Sequence, residues 1–168
     1  AEFFHVLDVL VLEGYGQTEE TSAATVNLPT HYKFGTVGPA IPGIELEIAD
    51  DGEILVAGPT VFAGYFNDEG ATRAALPGDG WLHTGDVGTL DEDGFLTVTD
   101  RKKDLIVTAG GKNVSPQNLE NLLKTVPVVS QALVVGDRRP YLVALITLDE
   151  EEVAKLGTRD EAATIVEE

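Results

Sequence analysis

The 168 residues contain neither cysteine nor methionine. Without thiols the chain has no means of forming a disulfide, a thiolate zinc site or a cysteine nucleophile. That composition is compatible with a reducing, cytoplasmic setting. Lacking methionine, Ala1 is not an ordinary start, and the chain opens directly into apolar residues, so we expect a piece of a longer protein. Long apolar runs are missing too. No stretch approaches the roughly 18–20 residues of a spanning helix, and no signal-peptide pattern opens the chain. Basic residues are few, 11 against 29 acidic, for a net charge of −18. That balance argues against nucleic-acid or general anionic-membrane binding. What is present is enough for a core: 43% of residues are hydrophobic, in a length that suits one domain or two small ones.

The few basic residues are not evenly spread. Residues 1–100 hold two basic and eighteen acidic side chains, whereas 101–140 hold seven basic and three acidic. A local basic island in an acidic protein suits a small bound polyanion, or else a solvated lysine-rich surface. The stretch 79–116 joins the two regimes. It places the carboxylate of Asp86 ahead of Arg101, Lys102 and Lys103, with the glycine turn Ala109-Gly110-Gly111 close behind. Polar and cationic groups between apolar strands suit a phosphate- or ribose-bearing ligand at a junction of two structural units.

In chain order, Val6–Leu12 is apolar and β-branched enough to predict a buried strand. It feeds Gly14-Tyr15-Gly16-Gln17-Thr18-Glu19-Glu20, where two glycines around a tyrosine predict an open loop that a ligand can approach. Thr18 and Glu19 are hard oxygen donors suited to Mg²⁺ and phosphate; the alternative is a strand-to-helix turn capped by Thr18. From Gly35 to Asp100 the pattern is β. Asp51-Gly52 and Asp93-Gly94 predict two-residue hairpin turns, and the short strands predict a small antiparallel sheet or distorted barrel. Asp86 follows a glycine at a strand entrance and can accept both hydroxyls of a ribose; the alternative is a turn aspartate. His83 is expected on a polar rim.

After the boundary at residues 101–104 the pattern turns to α+β. A hairpin flanks Gly110-Gly111, and Ser115 caps a helix with Pro116 in its first turn. Leu119, Leu122, Leu123 and Val126 fall on one helix face and are expected in the core. Gln131–Val135 and Tyr141–Leu148 predict two strands, and the acidic segment from Asp149 predicts a last helix.

The order of these motifs resembles the adenylate-forming acyl-CoA synthetase family. Tyr15-Gly16-Gln17-Thr18-Glu19, Gly52–Val56 with Gly64-Tyr65, His83-Thr84-Gly85-Asp86, Asp100–Asp104 and Gly110-Gly111-Lys112 carry the resemblance. Asp79–Lys103 looks like the signature of the fatty acyl-CoA members, and the long-chain bacterial ones match best. The resemblance covers the chain to about Leu148. It implies a mixed α+β and α/β architecture: the end of a large adenylate-binding domain over 1–100 with a small barrel-like antiparallel subdomain, a hinge at 101–104, and part of a small α+β domain over 105–168.

In such enzymes a fatty acid carboxylate attacks ATP to give an acyl-adenylate and pyrophosphate, and the CoA thiol then displaces AMP. By that resemblance Tyr15 stacks on adenine within a nucleotide site of Tyr15, Gly16, Gln17 and Thr18. Thr18 touches phosphate, Glu19 holds Mg²⁺, and Asp86 and Arg101 bind the ribose. Lys103 sits at the hinge, and Gly110, Gly111 and Lys112 line the CoA path. The resemblance names fatty acid, ATP, CoA and Mg²⁺ as partners and allows peripheral membrane contact of the whole protein. Two family parts are not in this sequence: the Ser/Thr/Gly-rich phosphate loop with its lysine, and the catalytic lysine of the small domain. The chain alone is therefore not expected to turn over. Related readings are an aryl or short-chain acid ligase of the same kind, or a non-catalytic nucleotide-binding module.

Overall fold

The computed structural model describes residues 1–156. The chain divides into two compact units, one ending at Lys102 and the other starting at Lys103. The fold is mixed α+β.

The first unit opens with helix α1 (Glu2–Val6) and a two-stranded ladder, β1 (Gly14–Tyr15) against β2 (Thr25–Val26). Between these two strands lies a 3₁₀ turn, Thr18–Glu20. The main body is an antiparallel sheet of β3 (Glu45–Ile48), β4 (Glu53–Ala57), β5 (Leu82–Leu90) and β6 (Leu96–Arg101), in the order β3-β4-β5-β6. It curls into a half-barrel. Helix α2 (Glu69–Ala75) lies between β4 and β5 in sequence, capped by Asp68, whose carboxylate accepts from the Ala71 N–H at 2.8 Å. Ile54, Val56, Leu82 and Leu96 from the three neighbouring strands are buried with Ala24 and Ile44 to make the core. Both expected hairpins form, β3 to β4 and β5 to β6, but through three-residue loops and not two-residue turns. The Ala49 N–H donates to the Glu53 carbonyl at 2.9 Å and the Asp91 N–H to the Phe95 carbonyl at 3.1 Å, with Gly52 and Gly94 at positive φ.

Three other expectations fail here. Val6–Leu12 is not a buried strand: α1 ends at Val6, residues 7–13 form no strand, and Val6, Leu7 and Val9 are exposed. A strand needs a neighbour to take its N–H and C=O groups, and no ladder among the described residues includes this segment. Next, α2 interrupts what looked like continuous β, because an Asp cap followed by Glu-Gly-Ala-Thr-Arg-Ala-Ala outweighs the surrounding turn pattern. Finally, Asp86 lies within β5, not at a strand entrance. The polar run His-Thr-Gly-Asp hid the first half of that strand.

The second unit holds the hairpin β7 (Ile106–Val107) and β8 (Asn113–Val114), helix α3 (Pro116–Leu123), the antiparallel pair β9 (Val129–Val135) and β10 (Val143–Leu148), and helix α4 (Glu150–Leu156). Ser115 caps α3, accepting from the Asn118 N–H at 3.2 Å. The loop between β9 and β10 is tied to the β7–β8 hairpin: the Arg138 N–H donates to the Val107 carbonyl at 2.8 Å, and the Ala109 N–H to the Arg139 carbonyl at 2.9 Å. The α3 leucines are not core. Leu122 is 66% exposed, and Leu119, Leu123 and Val126 are half-buried. The two-stranded β9–β10 pair is too narrow to cover an entire helix face.

Candidate active site

The site in the first unit is built around Asp86. In β5 burial alternates, so that Leu82, Thr84, Asp86 and Gly88 are buried while His83, Gly85 and Val87 are half-buried. The Asp86 carboxylate lies on the buried side of the strand, where the residue is 4% exposed. Three side chains meet it. The Tyr15 hydroxyl donates to Oδ2 at 2.7 Å, Gln17 Nε2 donates to the same oxygen at 2.7 Å, and Arg101 Nε reaches Oδ1 at 2.8 Å. Arg101 is the register partner of Asp86 across β5 and β6, so the ion pair is a cross-strand pair. Gln17 Nε2 also lies 3.0 Å from the Thr84 carbonyl and from the Tyr15 hydroxyl. Burial, helped by the Asp86 carboxylate, pushes the Tyr15 phenol well above its ordinary pKa.

Gln17 does a second job. It is the N-cap of the 3₁₀ turn, where its backbone N–H donates to Glu20 Oε2 at 3.3 Å. That pairing, and not a Thr18 cap, starts the turn. Thr18 is exposed on it, and Glu19 is half-buried, accepting from the Tyr65 hydroxyl at 2.5 Å. Glu20 is fully buried, and its Oε1 has no hydrogen-bond partner. Burial pushes its carboxyl up to about 7, with the charges of Asp86 and Glu19 acting in the same direction.

Gly16 is exposed, but the direction a side chain would take from it is filled. A Cβ there would lie 2.0 Å from the Ser22 carbonyl oxygen, so this glycine serves backbone packing. Among the described residues no group of three His, Cys, Asp or Glu side chains is placed to hold a metal ion. Glu19 with the Thr18 hydroxyl is a sparse, hard-oxygen set. It fits Mg²⁺, which keeps several waters and completes its shell with phosphate oxygens, and does not fit an all-protein cage.

Lys103 is exposed at the start of the second unit, within the 3₁₀ turn Lys102–Asp104. Gly110, Gly111 and Lys112 are exposed at the tip of the β7–β8 hairpin. There the Gly111 N–H donates to the Thr108 carbonyl at 2.8 Å, and Gly111 adopts φ +78°. The structure thus brings Tyr15, Gln17, Asp86 and Arg101 into direct contact, with Thr18 and Glu19 on the adjoining turn.

A second cluster escaped the sequence reading. Glu53, at the start of β4, is buried, and Lys102 Nζ lies 2.7 Å from its Oε2 and 2.7 Å from Asp51 Oδ2. His83 Nδ1 lies 3.2 Å from Glu53 Oε2, and its Nε2 lies 2.9 Å from Asp79 Oδ2. Burial alone would raise the Glu53 carboxyl, but Lys102, the Gly85 N–H and His83 together hold it below its ordinary range. The Asp79 bond, then Glu53, raises His83. The polar run that hid the first half of β5 hid this cluster too, since its members come from separate stretches of the chain. A pH prediction follows from His83. Its folded pKa exceeds the unfolded one, so its contribution to stability is complete below about 6.5 and is lost as pH rises through the folded value. Denaturation midpoints of wild type and His83→Gln are expected to differ most near about pH 5.5, with the difference shrinking as pH rises. A difference that does not change with pH would show that His83 acts only by packing.

A buried carboxylate met by a phenol, an amide and a guanidinium is suited to taking paired hydroxyl groups. Comparison with known proteins gives the class: a model described as AMP-binding enzyme matches residues 1–66, and one described as AMP-binding enzyme C-terminal domain matches residues 103–168. The chain belongs to the AMP-binding enzyme family. It is 51% identical over 149 residues to the long-chain-fatty-acid–CoA ligase FadD15 of Mycobacterium tuberculosis, covering 89% of this chain and 25% of that protein. To the long-chain-fatty-acid–CoA ligase ACSBG1 of Homo sapiens it is 41% identical over 152 residues, covering 87% of this chain and 21% of that one. The chain therefore spans about a quarter of the length of these relatives. Among solved structures, o-succinylbenzoate CoA synthetase of Bacillus subtilis with its acyl-adenylate intermediate matches with a TM-score of 0.79 and 34% identity, over 97% of this chain and 36% of that one. The same enzyme in complex with ATP and magnesium ion matches with a TM-score of 0.75 and 34% identity, over 92% of this chain and 36% of that one.

Proposed function

We propose that this chain is the nucleotide-holding end (1–100), hinge (101–104) and first part of the small domain (105–168) of a long-chain fatty acyl-CoA ligase. The proposed reaction joins fatty acid and CoA at the expense of ATP, through an acyl-adenylate, releasing AMP and pyrophosphate. The observation that carries this reading is the Asp86 carboxylate, buried and held at both oxygens by Tyr15, Gln17 and Arg101. Asp86 takes the ribose hydroxyls, one at its free lone pair and one where Gln17 Nε2 gives way to its Thr84 carbonyl contact, and Arg101, which gives Nε to Asp86, has Nη donors for them as well. Tyr15, pinned through its hydroxyl, offers its ring to adenine, beside the backbone of Gly16 and Gln17. Thr18 meets phosphate. Glu19 holds Mg²⁺, which would offset charge developing on the phosphoryl oxygens.

Lys103 would serve as the hinge residue for rotation of the small domain between the half-reactions. Gly110, Gly111 and Lys112, on a hairpin tip with little side-chain bulk, would line the path of the CoA arm. The fatty-acid assignment is favoured over an aryl acid because the 51% identical relative is a fatty-acid ligase, whereas the solved aryl-acid relative is 34% identical. No helix among the described residues is long and apolar enough to cross a membrane. A cytoplasmic protein making peripheral membrane contact fits the proposed substrates.

The test is an assay of a longer protein carrying this chain, with ATP, Mg²⁺, CoA and acids of graded chain length. Long-chain acids are expected to give AMP and thioester with kcat/KM at least about tenfold above benzoate-type acids, the scale of a few buried methylenes. The reverse order would move the protein to the aryl ligases. The 168-residue chain alone is expected to form no thioester, since positioning of the phosphates and acyl carboxylate supplies much of such a rate; unaided turnover would overturn that expectation.

A further inference from the structure

The Asp86 carboxylate is aimed by an irregularity in the sheet. In the β4–β5 ladder Glu53 faces Val87 and Leu55 faces His83. Ile54 alone therefore stands opposite Thr84, Gly85 and Asp86, a bulge that leaves β5 without ladder partners on its β4 side where the site residue sits, while Asp86 stays paired with Arg101 on the β6 side. Side chains supply the missing bonds. Thr84 Oγ1 donates to the Ile54 carbonyl at 2.7 Å and accepts from the Asp86 N–H at 3.1 Å. Glu53 Oε1 accepts from the Gly85 N–H at 2.9 Å. Gly85 sits at φ +71°, so the backbone at this point is held by its partners and not by strand geometry.

We propose that Glu53 is a positioning residue for the nucleotide site: it fixes the Gly85 amide and so sets the direction of the Asp86 carboxylate toward the ribose. The proposal rests on the reading of Asp86 as the ribose ligand. Glu53 is fit for the task because it is buried yet charge-balanced. Lys102 and His83 hold its Oε2, leaving Oε1 for Gly85. Lys102, just before the boundary between the units, is in turn fixed to the β3–β4 hairpin through Asp51.

The experiment measures binding of AMP and of 2′,3′-dideoxy-AMP to the full chain by calorimetry, for wild type, Glu53→Ala, Glu53→Asp and Glu53→Gln. Wild type is expected to prefer AMP by about a hundredfold, the worth of two charge-assisted hydrogen bonds. Glu53→Asp keeps the charge for Lys102 but is one methylene too short for Gly85, and its preference is expected to fall to a few-fold. Glu53→Ala is expected to behave likewise. Glu53→Gln keeps an oxygen at Gly85 and is expected to stay within about threefold of wild type, the scale of a weakened neutral bond. If Glu53→Asp keeps the full preference, or Glu53→Gln loses it while Glu53→Asp does not, Glu53 acts only through its charge and the proposal fails. If wild type does not discriminate, Asp86 is not the ribose ligand, and the reading beneath the proposal fails first. Glu53→Asp and Glu53→Gln keep the side chain polar and the ladder intact, so the comparison survives an unfolded Glu53→Ala.

Discussion

Replacing Asp86 with alanine is expected to weaken AMP binding by about a hundredfold or more, since it removes the acceptor for two ribose hydroxyls, each worth about 1.5–3 kcal/mol when charge-assisted. The same change orphans the Tyr15 hydroxyl and the Arg101 Nε, while Gln17 Nε2 keeps the Thr84 carbonyl at 3.0 Å. Tyr15, Gln17 and Arg101 all point at this carboxylate, and buried unpaired donors cost about 1–3 kcal/mol each. Stability is therefore expected to fall together with affinity, by about 2–3 kcal/mol after water reaches the exposed Arg101. The informative variant is Asp86→Asn. At most sites it is a mild change, but here both oxygens accept. The amide NH₂ must face either the Arg101 guanidinium or the Tyr15 and Gln17 donors, whichever way it is turned. Asp86→Asn is expected to bind AMP almost as poorly as Asp86→Ala. Calorimetric titration and urea denaturation of the three proteins check both effects. Wild-type affinity in Asp86→Asn would remove Asp86 from the ribose site.

What was legible in the sequence was whatever local chemistry decides. The Asp-Gly turns at 51–52 and 93–94, and the Ser115–Pro116 start of α3, need only a few adjacent residues, and they form where expected. The order of motifs pointed to the family. Other features depend on partners distant in sequence. Val6–Leu12 has the composition of a strand, but strand formation is decided by a neighbour. The leucines of α3 have the period of a buried face, but their burial depends on how wide a sheet lies beneath them. The link between Gln17 and Asp86 spans 69 positions, and no local pattern in Tyr-Gly-Gln-Thr-Glu announces it. The role of Glu53 went unread for the same reason, and Lys102, expected among cations facing a polyanion, is instead paired with Glu53 and Asp51. Glu53 looks like an ordinary surface charge until the β4–β5 bulge brings it to the Gly85 amide.

Glycine is where local and distant causes are hardest to separate, and Gly16 makes the point testable. Its sequence context suggests a loop kept bare for a ligand. The structure gives a different cause: a Cβ at Gly16 would sit 2.0 Å from the Ser22 oxygen, 2.6 Å from Ala23 Cα and 2.7 Å from the Ser22 carbonyl carbon. These are backbone atoms and cannot rotate away. The segment is also fixed at both sides, by the Ser22 N–H on the Gln17 carbonyl at 3.2 Å and the Ala24 N–H on the Tyr15 carbonyl at 2.8 Å. Ser22 itself sits at φ +122°, a strained conformation for a residue with a Cβ, so the segment already carries strain before a Cβ is added at Gly16. Gly16→Ala is therefore expected to destabilise the first unit by about 3 kcal/mol or more, at the upper end of overpacking costs. AMP binding is expected to fall with it, because Tyr15 and Gln17 flank the strained point. A Gly16 kept bare only for a ligand would lose affinity at unchanged stability. Gly110→Ala supplies the contrast: there a Cβ meets nothing nearer than Thr108 Oγ1 at 4.0 Å, and the variant is expected to unfold within about 0.5 kcal/mol of wild type. Denaturation of the two variants side by side distinguishes a glycine required by packing from one whose small size can serve a passing ligand.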